Sequence, residues 1–246
     1  MALKVKLCGM TCLEDVQAAM TAGADLLGFI FFPKSPRYVT PERVRDILAA
    51  TEPGRAGIQT VGVFVNDRPG TVAQVLDFCG LDLAQLHGEE PPAVLGLGDG
   101  SPESVARHEE DDHPRNVCGR AYKALRPRSN NEATALAGRY ALPRDLREGG
   151  RLPAFLLDAY HSQLRGGSGM TGDWSLASRL ASQYPILLAG GLDPSNVAQA
   201  VQKVCPWGVD VASGVEASPG QKDHAAMRAF VATAKGIEGD YYDISI

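Results

Sequence analysis

Cys8 stands where a short apolar run ends and a glycine turn begins, in Val5-Lys6-Leu7-Cys8-Gly9. Thr11 follows as the expected N-cap of a helix from about Leu13 to Thr21, with Glu14 and Asp15 in its first turn. A thiol at a strand end beneath a helix start is placed for acid/base work, because a helix N-terminus favours thiolate over thiol. The commoner fate of a lone cysteine is a small core side chain, so the other strand ends must decide. Asp158 ends the run Phe155-Leu156-Leu157. A carboxyl leaving an apolar run is partly desolvated, which raises its pKa and suits a general acid. Arg37 lies in Pro33-Lys34-Ser35-Pro36-Arg37-Tyr38, where two prolines stiffen the loop and a guanidinium can grip a carboxylate with two N–H groups. His87 follows Gln85-Leu86, and Asp210 interrupts the apolar run Val209-Asp210-Val211. A charge inside such a run needs a partner or a purpose. Each of these residues also has a plain structural reading as a cap, a turn former, a surface arginine or a hydrogen-bonding histidine.

Three glycine clusters follow the last three apolar runs: Gly166-Gly167-Ser168-Gly169, Gly190-Gly191 and Ser213-Gly214. Glycine lets backbone N–H groups approach an anion with no Cβ in the way. The candidate phosphate ligands are therefore Gly167, Ser168, Gly190, Gly191, Ser213 and Gly214. The first cluster could also close over a ligand and exclude water.

Eight short apolar runs position these groups, at Leu3–Leu7, Leu26–Phe31, Thr60–Val65, Leu83–Leu86, Ala121–Leu125, Ala154–Leu157, Ile186–Ala189 and Gly208–Val211. They alternate little, as parallel strands covered on both faces do. Helical periodicity fills the gaps, with starts signalled by Thr40-Pro41, Asp173 and Asp193-Pro194. The expected fold class is α/β, a single (β/α)8 TIM barrel spanning residues 1–246 as one domain, with an open doubly wound sheet as the structural alternative. Candidate residues at strand ends then share the C-terminal mouth, where barrels bind ligands. Segments 91–119 and 126–152 strain the pattern and are expected as exposed insertions in the fourth and fifth βα units. The Arg107–His113 charge run within the first reads as a solvated face.

Composition excludes several function classes. The net charge of -5 and the absence of basic runs argue against nucleic acid. No apolar stretch of ~18 residues exists to span a membrane. The five cysteines lack CxxC spacing, so neither a metal site nor a disulfide framework is expected, and a reducing, cytoplasmic setting is. No G-x-G-x-x-G follows the first run, so no dinucleotide cofactor is expected. A thiol, a carboxylic acid, an arginine and an anion cradle suit cofactor-free acid/base chemistry on a small phosphorylated substrate with a second anionic group. A non-catalytic phosphosugar-binding barrel is the alternative, although it has no need of Cys8 and Asp158 together.

At these residues the chain resembles the phosphoribosylanthranilate isomerase family. The resemblance rests on Lys6-Leu7-Cys8-Gly9-Met10-Thr11, on Gly28–Tyr38, on Val61–Asn66 and on Gln85-Leu86-His87-Gly88. It continues through Leu156-Leu157-Asp158, Gly166–Gly169, Asp173-Trp174, Leu188–Leu192, Val209–Glu216 and Pro219–Asp223, in family order. It implies an Amadori rearrangement in tryptophan biosynthesis, with no cofactor. Asp158 would protonate the ribose ring oxygen and Cys8, as thiolate, would remove the C2′ proton. Arg37 would hold the anthranilate carboxylate. Asp210 and His87 would bind near the amine and sugar hydroxyls, and the glycine loops would hold the phosphate. Other tryptophan-pathway enzymes are the implied partners.

Overall fold

The computed structural model describes residues 2–97, 117–158 and 174–237. Eight parallel strands close a barrel in chain order: β1 (Lys4–Cys8), β2 (Leu26–Ile30), β3 (Gln59–Phe64), β4 (Leu83–Leu86), β5 (Ala121–Leu125), β6 (Phe155–Asp158), β7 (Ile186–Ala189) and β8 (Gly208–Val211). The ring shuts where β1 pairs with both β2 and β8. A small antiparallel hairpin, β9 (Glu216–Ser218) and β10 (Gln221–Lys222), follows β8. Most strand residues are buried, as expected of strands sandwiched between the barrel interior and a helical layer.

Seven α-helices lie among the described residues: α1 (Leu13–Ala22), α2 (Pro41–Thr51), α3 (Pro69–Cys79), α4 (Asn130–Tyr140), α5 (Trp174–Ala181), α6 (Val197–Val204) and α7 (His224–Lys235). Each turns one apolar stripe inward. On α6 the buried residues are Val197, Ala200, Val201 and Val204, the i, i+3, i+4, i+7 spacing of one helix face. Thr40 caps α2 as its sequence predicts, accepting from Arg43 N at 3.3 Å ahead of Pro41.

Three local expectations are corrected. Thr11 does not cap α1. The N-cap is Cys12, which makes no capping bond, while Thr11 Oγ1 donates to Gly220 O in the β9–β10 turn at 2.8 Å. A long-range partner outcompetes the local one. Asp193-Pro194 does not open α6 directly. Asp193 Oδ1 accepts from Ser195 N and Asn196 N, forming a side-chain turn before the helix starts at Val197. Segment 126–152 is no exposed insertion. It holds α4, capped by Ser129 and burying Ala133, Ala137 and Tyr140, then a short 3-10 helix at Arg144–Gly150. Its polar outer face hid an ordinary fifth helix. In segment 91–119 the described part contains a 3-10 turn at Pro92–Leu95, and the 107–113 charge run lies outside the described residues. Among the described residues, no helix is long and apolar enough to cross a membrane.

Candidate active site

Side chains alternate along a strand, so Lys6 and Cys8 share one face of β1 while Val5 and Leu7 share the other. Lys6 and Asp210 are register partners across β1 and β8, and Lys6 Nζ donates to Asp210 Oδ1 at 2.8 Å with the lysine fully buried. Cys8 is the register partner of Gly28 on β2. A Cβ at Gly28 would lie 2.7 Å from Cys8 Sγ and 3.1 Å from Lys6 Nζ, so only glycine leaves room for thiol and ammonium to lie together over β2. Burial pushes the Cys8 thiol above its ordinary pKa; Lys6 pulls it back by charge and hydrogen bonding, and Asp210 pushes it up. The net direction is upward. For Lys6, burial opposes the charge, but Asp210, Cys8 and Tyr122 outweigh it and hold the ammonium above its ordinary pKa.

Arg37 is anchored rather than waiting. Its Nε and Nη2 donate to Glu216 Oε1 and Oε2, both at 2.7 Å, in a two-pronged bond across 179 residues of chain. Lys222 Nζ donates to the same carboxylate at 3.0 Å and to Ala212 O at 2.8 Å. Burial works against the charge on Glu216, yet Arg37 and Lys222 outweigh it and hold the carboxyl below its ordinary range. Gly9, at φ +81°, lets the arginine stem cross the turn after Cys8, since a Cβ there would meet Arg37 Cδ at 2.7 Å. Nη1 is the guanidinium nitrogen not engaged by Glu216.

His87 is held by a relay from the barrel interior. Tyr122 donates its O–H to Gln85 Oε1 at 3.0 Å, which turns the Gln85 amide N–H toward His87 Nδ1 at 2.9 Å. Nδ1 accepts, so the neutral ring carries its proton on Nε2. Burial, then the nearby Arg126 charge, lowers the His87 pKa to about 4, so the ring is neutral at physiological pH. The following turn is fixed by buried Glu90, which accepts from Gly88 N and Asn66 N and pairs with Lys123 Nζ at 3.0 Å.

Asp158 is the last residue of β6, half-buried beside Ala189 of β7. In the ring order it stands across the mouth from Cys8. Gly190 and Gly191 follow β7 at φ +103° and +68°, and Ser213 and Gly214 open a 3-10 turn after β8. Gly214 packs directly on the Leu192 carbonyl, where any Cβ would overlap it, so the two loops lie back to back. The cluster containing Gly167 and Ser168, and Asp173, lie outside the described residues.

This geometry has close counterparts. A sequence profile for N-(5'phosphoribosyl)anthranilate (PRA) isomerase matches residues 5–111 and 142–233. The N-(5'-phosphoribosyl)anthranilate isomerase of Citrifermentans bemidjiense is 46% identical over 234 residues, covering 95% of this chain and 98% of that protein. The chain belongs to the phosphoribosylanthranilate isomerase family. It is thereby an aldose–ketose isomerase of tryptophan biosynthesis. The phosphoribosylanthranilate isomerase of Thermotoga maritima superposes with a TM-score of 0.73 at 35% identity, covering 96% of this chain and all of the other. A phosphoribosylanthranilate isomerase structure in complex with reduced 1-(o-carboxyphenylamino)-1-deoxyribulose 5-phosphate superposes with a TM-score of 0.72 at 33% identity, over 96% of this chain and 100% of that one.

Cys8 and Asp158 end their strands, Arg37, His87, Gly190, Gly191, Ser213 and Gly214 lie in the segments that follow strand C-terminal ends, and Asp210 lies within β8 opposite Lys6. Sequence reasoning missed Lys6, Gly28, Glu216, Lys222 and the Tyr122–Gln85 relay as parts of the site. Lys6 carried the same signal as Asp210, a charge within an apolar run. Glu216 carried none, because its partner is remote in sequence.

Proposed function

We propose that this isomerase acts with Asp158 as general acid and Cys8 as general base on either side of the barrel mouth. Its substrate is a small phosphorylated aminosugar bearing an anthranilate carboxylate. Asp158 protonates the ribose ring oxygen and the ring opens to a Schiff base. Cys8 thiolate removes the C2′ proton, and the enolamine takes up a proton at C1′ and releases its 2′-hydroxyl proton to give the ketone. Each step is a proton transfer by a positioned side chain, an effect worth ~10²–10⁴-fold per group. The outer edge of Arg37 holds the anthranilate carboxylate, with Glu216 and Lys222 fixing its inner edge. Asp210 and the Nε2–H of neutral His87 bind the amine and sugar hydroxyls. Backbone N–H groups around Gly190, Gly191, Ser213 and Gly214, with Gly167 and Ser168, take the phosphate. The chain works as one domain in a cytoplasmic setting, a reading supported by its five free cysteines.

The observation that carries this reading is the thiol ending β1, crowded against a buried ammonium, with a carboxylate ending β6 across the ring. Turnover in deuterated water tests it. Solvent deuterium at C1′ of the product is expected, and full turnover in both Cys8→Ala and Asp158→Asn would sink the acid and base assignment.

A further inference from the structure

Lys6 is the feature the reaction scheme leaves unused. Its side chain is wholly buried, and it sits in the barrel interior rather than under the helical layer. A dry ammonium is expensive to keep, and a buried ion pair is seldom retained for stability alone. Its surroundings are arranged around it. Asp210 accepts from it at 2.8 Å, and Gly28 is stripped of a Cβ where Lys6 Nζ and Cys8 Sγ converge. A thiolate forming in this interior without an opposite charge beside it would be strongly disfavoured.

We propose that Lys6 is a positioning residue for the isomerisation: its buried ammonium is the counter-cation that stabilises the Cys8 thiolate, and Asp210 holds that ammonium in place. The proposal rests on Cys8 being the base. Two residues apart on β1, the pair stays on one face whatever the loops do. Other charges also face Cys8. Asp210 approaches from β8, Lys222 from the β9–β10 hairpin, Arg37 from the loop after β2, and the Tyr122 hydroxyl from β5. Lys222 and Arg37 share Glu216, which offsets part of their charge. Lys6 is the strongest of the charges drawing the thiol toward thiolate, and Asp210 the strongest opposing charge.

Thiolate formation is read directly, without substrate, by ultraviolet thiolate absorbance against pH. Each variant is compared with the same variant carrying Cys8→Ala, so that other thiols and tyrosines cancel. Lys6→Met should move the Cys8 midpoint up by about one pH unit or more, roughly a tenfold loss of thiolate at fixed pH. Asp210→Asn should move it down. Where Lys6→Met alone fails to fold, Lys6→Met/Asp210→Asn compared with Asp210→Asn isolates the lysine without an unpaired aspartate, and the midpoint should again rise. Lys6→Arg should keep most of the wild-type midpoint. The rising limb of kcat/KM against pH should follow the same order. A Cys8 midpoint unmoved by loss of Lys6 in both backgrounds would overturn the proposal. Full turnover in Cys8→Ala would instead overturn the base assignment, and the midpoints would still decide what Lys6 does to the thiol.

Discussion

Strand β1 carries two lysines on one face, and they live in different worlds. Lys4, at the N-terminal end of the barrel, reaches Asp25 at 3.4 Å with its side chain 41% exposed. Lys6, one step further in, meets Asp210 at 2.8 Å with no exposure at all. The lower pair belongs to a scaffold joint. Asp25 also accepts from Val5 N at 2.9 Å and from Lys235 of α7 at 2.8 Å, tying strand, turn and last helix together. Water screens such a pair, so its net worth is small. The upper pair is largely buried, its lysine wholly so, and lies beside a thiol. The same residue type on the same strand face is thus a surface brace at one end and part of the reaction machinery at the other. Depth in the barrel, not residue type, makes the difference.

The comparison breaks most sharply at the acid and base. Asp158→Asn should lose ~10²–10⁴-fold in kcat while the protein remains folded, measured by steady-state kinetics and calorimetry. Removing one partner of each lysine pair comes next. Lys6→Met strands Asp210 and should lower stability by ~3–5 kcal/mol in denaturant unfolding. Arg37→Lys keeps the charge but loses the two-pronged bond to Glu216, and should cost ~10–100-fold in kcat/KM, mostly through KM. Gly28→Ala places a methyl group against Sγ and Nζ, and should cost ~1–3 kcal/mol while slowing turnover. At the other end of the scale, Lys4→Met should change stability by less than ~1 kcal/mol and leave turnover untouched.

Two pH effects sharpen the same contrast. Because burial lifts the Cys8 thiol, kcat/KM should climb from neutral into alkaline pH as the thiolate fraction grows. His87 works on stability instead. Its pKa is about 4 when folded against an ordinary value of 6.5, so the unfolded chain binds the proton more readily. Its burial therefore costs nothing above about 6.5, and stability falls progressively between about 6.5 and about 4. His87→Gln should flatten that part of the stability–pH curve.

The sequence made the barrel legible because strands covered on both faces leave unbroken apolar runs. Leu83–Leu86, Ala121–Leu125, Ile186–Ala189 and Gly208–Val211 form strands at the residues expected. The fifth helix was obscured because Asn130–Tyr140 buries only small residues and one tyrosine, leaving a mostly polar sequence. Strand-end position was enough to single out Cys8 and Asp158, and a charge within an apolar run singled out Asp210. It did not reveal that Arg37 is already engaged, because Glu216 enters from a hairpin 179 residues later. Nor could it separate Lys4 from Lys6, since burial of Lys6 is fixed by Asp210, 204 residues away. Partners brought together only by barrel closure leave no local trace.

The most direct test of the account follows the fluorescence of freshly generated phosphoribosylanthranilate after addition of the purified protein, beside its Cys8→Ala variant. Rapid enzyme-dependent loss of fluorescence is expected with the wild type, and decay at the spontaneous rate with a folded variant. Equal rapid decay with both proteins would contradict it, because the β1 thiol would then have no part in removing the proton.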